Sequence, residues 1–135
     1  MSSEGLERLD VWRKAKEFAL EIYQQAIPAF PPEEKWGLAV QLRRSASSIP
    51  ANIAEGYGRY YYQENIRFCY IARGSLEESI SHLILAKESG LLPVPITESL
   101  ITIGNSLSRL LNGYIAYLKR TRVGEHEPGA NHLLR

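Results

Sequence analysis

Apolar residues recur at helical spacing in four segments of this chain, and the separators between them are short and rich in proline or glycine. In the first segment Val11, Ala15, Phe18 and Ile22 follow at 4, 3 and 4, with Trp12, Ala19, Tyr23 and Ala26 widening the stripe and Asp10 placed to cap its start. The helix is expected to stop near Ile27, because Pro28, Pro31 and Pro32 stand too close together for a helix interior. Pro32 then suits the first turn of the next helix, with Glu33 and Glu34 against its positive end. The second segment carries Ala39, Leu42, Ala46, Ile49 and Ile53 on one stripe and runs out at Gly56 and Gly58. Pro50 lies inside it and predicts a kink or local break near Ala46 to Ile49.

The third segment runs from about Tyr60 to Ser89, with Phe68, Ala72, Ser75, Ser79, His82 and Ala86 alternating at 4 and 3 and Gly90 as its C-cap. A second line, Leu76, Ile80 and Leu83, broadens the apolar surface. Gly74, Ser75 and Ser79 are small enough to admit a neighbouring helix. The fourth segment repeats Ile96, Leu100, Ile103, Leu107, Leu110, Tyr114 and Tyr117 as a heptad and ends on Lys119, Arg120 and Arg122, cations that suit a helix C-terminus. No segment reads as a strand. The expected fold is all-α, an up-and-down antiparallel four-helix bundle over residues 10–122, preceded by an N-terminal extension (1–9) and followed by a mobile tail (123–135).

Length and composition leave that picture in place: 135 residues, 44% hydrophobic and 23% charged, suit one globular domain. A formal net charge of +1 provides no global field for nucleic acid or anionic lipid, so any such binding must be local. The single cysteine, Cys69, permits no internal disulfide and fits a reducing, cytoplasmic setting. No window is apolar enough to span a bilayer, and the start carries no secretory pattern.

Enzyme signatures are absent: no glycine-rich phosphate loop, nucleophile elbow or paired metal-binding histidines, so no catalytic residue, cofactor or metal is expected. His82 lies on an apolar stripe and reads as a hydrogen-bonded core or interface histidine. Cys69, despite Arg67 and Arg73 nearby, reads as a buried structural thiol.

The unusual stretch is QLRRSASSIPANIAEGYGR, residues 41–59. Helical spacing aligns Arg44, Ser48, Asn52 and Glu55 in a polar stripe beside the apolar one. That stripe is expected to form a structural network between the second and third helices, reaching Glu77 or Glu78. A second expectation concerns binding. Arg43, Arg59, Arg67 and Arg73, with Tyr60, Tyr61 and the neighbouring Tyr57, Tyr62 and Tyr70, make a basic aromatic surface suited to RNA or DNA. Residues 43–73 carry net +3 and residues 109–122 net +4, modest totals that several copies in one assembly would multiply.

Three stretches, LDVW from Leu9, FPPEEKWGLAVQLRRSASSIPANIAEGYGR from Phe30 and IARGSLEES from Ile71, resemble the bacterial four helix bundle proteins also called 23S rRNA intervening sequence proteins. The resemblance covers about Leu9 to Leu118. It implies an up-and-down bundle assembling as a homopentamer, without enzymatic activity and without cofactor, and similar to a nucleic-acid-binding pentameric accessory protein of retroelements. The shared motif covers Arg43, Arg44, Ser48, Pro50, Asn52, Glu55, Gly56, Arg59, Gly74, Ser75 and Glu77. Two functions follow as expectations: an oligomeric module that binds ribosomal or other structured RNA or a nucleoprotein, or a purely structural protein-interaction bundle. Trp36, Tyr117 and the tyrosine run argue for a subunit interface in either case.

Overall fold

A computed structural model describes residues 3–126. Its helices are α1 (Ser3–Glu7), α2 (Asp10–Glu21), α3 (Leu38–Arg59), α4 (Tyr62–Glu88) and α5 (Val94–Thr121). A π-helical turn over Ile22–Ala26 and a 3-10 turn over Ile27–Ala29 prolong α2. There is no strand among the described residues. Each of the four main helices packs on the next, and α5 returns to α2. This cyclic order is that of an up-and-down bundle. Side chains fix its antiparallel sense: Ser45 and Ser48 of α3 meet Ser79 and Ser75 of α4, and Asn65 and Arg73 of α4 meet Tyr114 and Asn112 of α5.

The stripes of α2 and α3 are buried as their spacing predicts: Val11, Ala15, Phe18 and Ile22 on one, Ala39, Leu42, Ala46, Ile49 and Ile53 on the other. Their ends differ from expectation. Asp10 lies inside the first turn of α2, ion-paired with Arg13, and Leu9 takes the cap position without a side-chain bond. Pro32–Glu34 forms a separate 3-10 turn, and α3 starts only at Leu38. Glu34 still serves that start, its Oε2 accepting the Leu38 N–H at 3.1 Å. A Cβ on Gly37 would fall 2.6 Å from the same oxygen, so a larger residue there would displace the Glu34 carboxylate from this cap.

Of the kink or local break expected before Pro50, the break does not occur, since α3 stays helical from Leu38 to Arg59. A proline inside a helix costs about 3 kcal/mol, while unseating Ile49, Ile53 and Ala46 would forfeit a larger sum, about 1.5–3 kcal/mol for each large side chain. The whole stripe is buried, so the helix holds.

In α4 the buried line is Cys69, Ala72, Leu76, Ser79, Leu83 and Ala86, a blend of the two predicted lines, with Phe68 and His82 only half-buried. Gly90 ends the following turn at φ +76, where the Leu91 N–H reaches back to the Ala86 carbonyl at 2.9 Å. The close helix approaches fall at other glycines than the one expected. A Cβ on Gly74 would meet nothing within 4 Å, whereas on Gly56 it would sit 2.7 Å from Asn65 Oδ1 and on Gly104 3.2 Å from Ile80 and Phe18.

The heptad expected in α5 is rotated. Thr97, Leu100, Gly104, Leu107, Leu111, Ile115 and Leu118 face the core, while Leu110 and Tyr117 are exposed and Ile96, Ile103 and Tyr114 are half-buried. After α5 the chain turns through Arg122, at φ 54, and folds back: Val123 O accepts the Tyr62 N–H at 2.8 Å, and Gly124 sits against the backbone of Tyr60 and Tyr61. The rest of the tail expected at 123–135, residues 127–135, lies outside the described residues, as do residues 1 and 2 of the N-terminal extension. No described helix is long and apolar enough to cross a membrane.

Candidate nucleic-acid interface

The QLRRSASSIPANIAEGYGR stretch forms most of α3, and its small polar residues close the seam with α4. Ser45 Oγ and Ser79 Oγ, both buried, lie 2.7 Å apart, and each also reaches a carbonyl of its own helix, Leu42 O at 3.2 Å and Ser75 O at 2.9 Å. Two hydroxyl protons serve these three contacts, so one bridges the helices and the other satisfies one carbonyl. Further along, Ser48 Oγ meets Ser75 Oγ at 2.9 Å, and Asn52 Nδ2 donates to both the carbonyl and the hydroxyl of Ser48, at 2.8 and 2.9 Å.

Of the five residues expected in this network, Ser48 and Asn52 are in it. The other three are not. Glu55 turns outward and pairs with Arg59 at 3.0 Å, while Arg44 and Glu77 are exposed and make no side-chain bond to any described residue. Glu78 takes His82 Nε2 instead, at 3.1 Å. The side chains that bond across the seam are serines, short enough to meet between the helices, while Arg44, Glu55 and Glu77 reach solvent.

The cations gather elsewhere. At the end of the bundle formed by the close of α3, the start of α4 and the close of α5, four of them lie against aromatic rings. Arg59 and Arg67 are 5.4 and 4.8 Å from the Phe68 centroid, and Arg73 and Lys119 are 4.9 and 5.6 Å from that of Tyr70. Arg120 adds a fifth, 5.8 Å from Tyr117. Arg73 bridges α4 to α5 through a 3.0 Å bond to Asn112, and Arg67 pairs with Glu64 at 2.9 Å. Charge follows the same division: residues 53–74 and 109–126 together carry net +4, and residues 75–98, at the opposite end of α4 and α5, carry net −3.

Arg59, Arg67, Arg73 and Tyr60, all read from the sequence as a binding surface, therefore share one end. Arg43 does not. It stands sixteen residues before Arg59 on α3, about 24 Å along the axis, and lies over Tyr23. Tyr61 is a correction of another kind: at 5% exposure it belongs to the core, in edge contact with Tyr62, and its hydroxyl donates to Gln63. Tyr62 is buried too, and its hydroxyl accepts from Arg122 at 3.1 and 3.2 Å. The turn between α3 and α4 is too tight to expose three successive rings. Phe68 was not anticipated as a surface partner, and Lys119 and Arg120 entered only through the net charge of residues 109–122, although Tyr70 with Arg73 and Tyr117 with Arg120 repeat a ring-to-cation spacing of three that the sequence displays.

Cys69 is buried, its thiol 3.6 Å from Asn65 Oδ1, and burial pushes its pKa up to about 12. The thiol is thus neutral and inert at physiological pH. Among the described residues no three His, Cys, Asp or Glu side chains converge to hold a metal ion.

The model of the 23S rRNA-intervening sequence protein family matches residues 7–113. The chain belongs to that family. A crystal structure of a protein of unknown function from the S23 ribosomal protein family of Bacteroides thetaiotaomicron is similar to it, with a TM-score of 0.72 at 26% identity, covering 78% of this chain and 97% of that one. No curated protein matches the chain. The family match covers α2, α3, α4 and most of α5, and so spans the α3–α4 seam, Phe68 and Tyr70, while Tyr117, Lys119 and Arg120 lie beyond it.

Proposed function

We propose that this protein is a non-enzymatic, oligomeric module of the cytoplasm that binds ribosomal or other structured RNA, free or within a nucleoprotein, through the basic end of the bundle. The observation that carries this reading is the set of five cations lying against Phe68, Tyr70 and Tyr117, where rings can meet bases and cations can meet phosphates. A single copy offers few phosphate contacts, so oligomerisation is part of the proposal. It is supported by Trp36, 79% exposed beside a groove of about 290 Å³ that includes Ile27, Phe30 and Val40. Five copies is the number the family resemblance suggests.

The test is binding of a labelled ribosomal-RNA hairpin at about 50 and 200 mM salt. Two to four phosphate contacts per copy predict a loss of about ten- to a hundredfold between the two, and Arg73→Ala with Lys119→Ala should flatten that dependence. Absence of binding at the lower salt would overturn the reading. Sedimentation at micromolar concentration showing only monomers would remove the oligomeric part.

A further inference from the structure

At the basic end α3, α4 and α5 leave a cleft of about 410 Å³ whose lining includes Tyr57, Tyr60, Tyr114 and Tyr117, half of all the tyrosines in the chain, with Asn65 and Leu118. That volume falls in the range of small-molecule sites. Its aromatic content is what sets it apart. Tyr114 and Tyr117 stack at 6.3 Å with planes 15° apart, and Tyr117 and Tyr60 are 45% and 52% exposed, so ring surface meets solvent at the mouth. Tyr60 holds φ 69, a conformation that favours glycine, and a ring is thereby kept on the rim at a position where glycine would relieve the backbone.

The polar groups are as selective as the rings. Tyr114 Oη accepts from Asn65 Nδ2 at 3.1 Å, which leaves its own proton free to be donated. Burial raises the Tyr114 pKa to about 12, so that donor persists at neutral pH. Arg120 lies over the lining Tyr117, and Arg59 and Arg122 adjoin the lining residues Tyr60 and Val123 in sequence; Glu55 and Glu125 are engaged by Arg59 and Arg122. On the α1 side Glu4 and Glu7 add acid, and Gly5 packs close to the Tyr57 hydroxyl.

We propose that this cleft receives an unpaired base from a single-stranded stretch of RNA, stacked on the exposed tyrosines with its flanking phosphates on Arg59 and Arg120. The proposal rests on the RNA-binding reading above and deepens it. Duplex RNA cannot be the occupant, because its base faces are already stacked; loops and ends of structured RNA present free faces to aromatic side chains. Cations at the rim and rings within are the two components that single-strand sites combine.

The experiment uses the full chain and a labelled twelve-nucleotide oligouridine, with a duplex of equal length as comparison, at low and high salt. Tyr117→Ala should weaken oligouridine binding about tenfold without changing its salt dependence, and Tyr117→Phe should keep it within about twofold. Arg120→Ala should instead lower the salt slope by about one. Tyr60→Gly, which removes a ring while easing the backbone, should repeat the tenfold loss, so the result does not depend on one variant folding. If oligouridine binds Tyr117→Ala and Tyr60→Gly as tightly as the parent while the ribosomal hairpin still binds, the cleft is not the base site and the RNA-binding reading survives alone. If no RNA binds at low salt, both fall. If Tyr117→Ala turns an oligomer into a monomer, a second copy fills the cleft and the proposal is overturned.

Discussion

Two sides of the same turns of α4 show how differently this chain uses its polar residues. Inward, Asn65 and Cys69 meet Gly56 of α3 and Tyr114 of α5. The Asn65 amide donates to Tyr114 and accepts from the thiol, and among the described residues no buried side-chain nitrogen or oxygen lacks a partner. Outward, Arg67, Tyr70 and Arg73 stand partly or fully in solvent, each cation with one hydrogen-bonding partner and a ring beneath it. Apart from the Tyr114 proton, which faces the cleft, the inner set finds its partners within the protomer and serves the fold. The outer set keeps donors over, which is what an anionic partner needs. Perturbing each side separately is therefore the way to test the division.

The largest expected effect is alkaline and belongs to the inner side. Burial raises the Cys69 pKa from 9.0 and the Tyr114 pKa from 10.0, each to about 12. Both folded values lie above the unfolded ones, so this stabilisation is fully present below pH 9 and is lost as the pH rises toward 12. Between pH 8 and 11 the bundle should lose on the order of 4 kcal/mol of unfolding free energy, from three units for the thiol and two for the phenol, each partly titrated at pH 11. Urea titrations at the two pH values measure it. Cys69→Ala should remove the larger share of the slope, and a slope unchanged by Cys69→Ala together with Tyr114→Phe would mean that the inner side is open to water.

A pair of glycines on opposite sides gives the next effect. Gly56→Ala would place a Cβ 2.7 Å from Asn65 Oδ1, 2.9 Å from Phe68 Cβ and 3.0 Å from the Asn65 carbonyl, so α3 and α4 must part; a loss of about 2 kcal/mol is expected. Gly74→Ala meets nothing within 4 Å on an exposed helix position and should gain about 0.5–1 kcal/mol from helix propensity alone. Thermal melts of the two variants should thus move in opposite directions.

These glycines also show where the sequence is legible. Large apolar side chains at helical spacing reveal the central stripes of α2 and α3, because burying Phe18, Leu42 or Ile53 is worth more than any competing local preference, while Tyr23, read as widening the first stripe, is exposed. In α5 the same count slips by one residue. Thr97 and Gly104 score as polar or neutral, yet both face the core: the Thr97 hydroxyl is satisfied by the Val94 carbonyl, and Ile80 and Phe18 stand too close to Gly104 for a larger residue. Tyr114 and Tyr117 score as apolar, yet their hydroxyls hold them at the edge, where the cleft forms. The candidate interface is legible in part for a related reason. Cations and rings can be counted along a chain, but Tyr61 and Tyr62 enter the core through a tight turn, and Arg43 is carried a long way from Arg59 by a helix that Pro50 does not interrupt.

The smallest effect on the fold is expected on the outer side, and its smallness is the point. Arg73→Gln with Lys119→Gln removes both cations from Tyr70 and the bridge from Arg73 to Asn112, all on exposed surface. Exposed pairs of this kind contribute about 0–1 kcal/mol, so the urea midpoint should shift by little, with unfolding free energy within about 0.5 kcal/mol of the parent. If these cations serve phosphates, the same variant should lose up to about two from the slope of log affinity against log salt on the ribosomal hairpin. A variant that loses RNA while keeping its stability would confirm that the outer side of α4 is built for a partner. A large destabilisation with no change in salt slope would place Arg73 and Lys119 with Asn65 and Cys69, as further residues whose bonding is spent on the bundle itself.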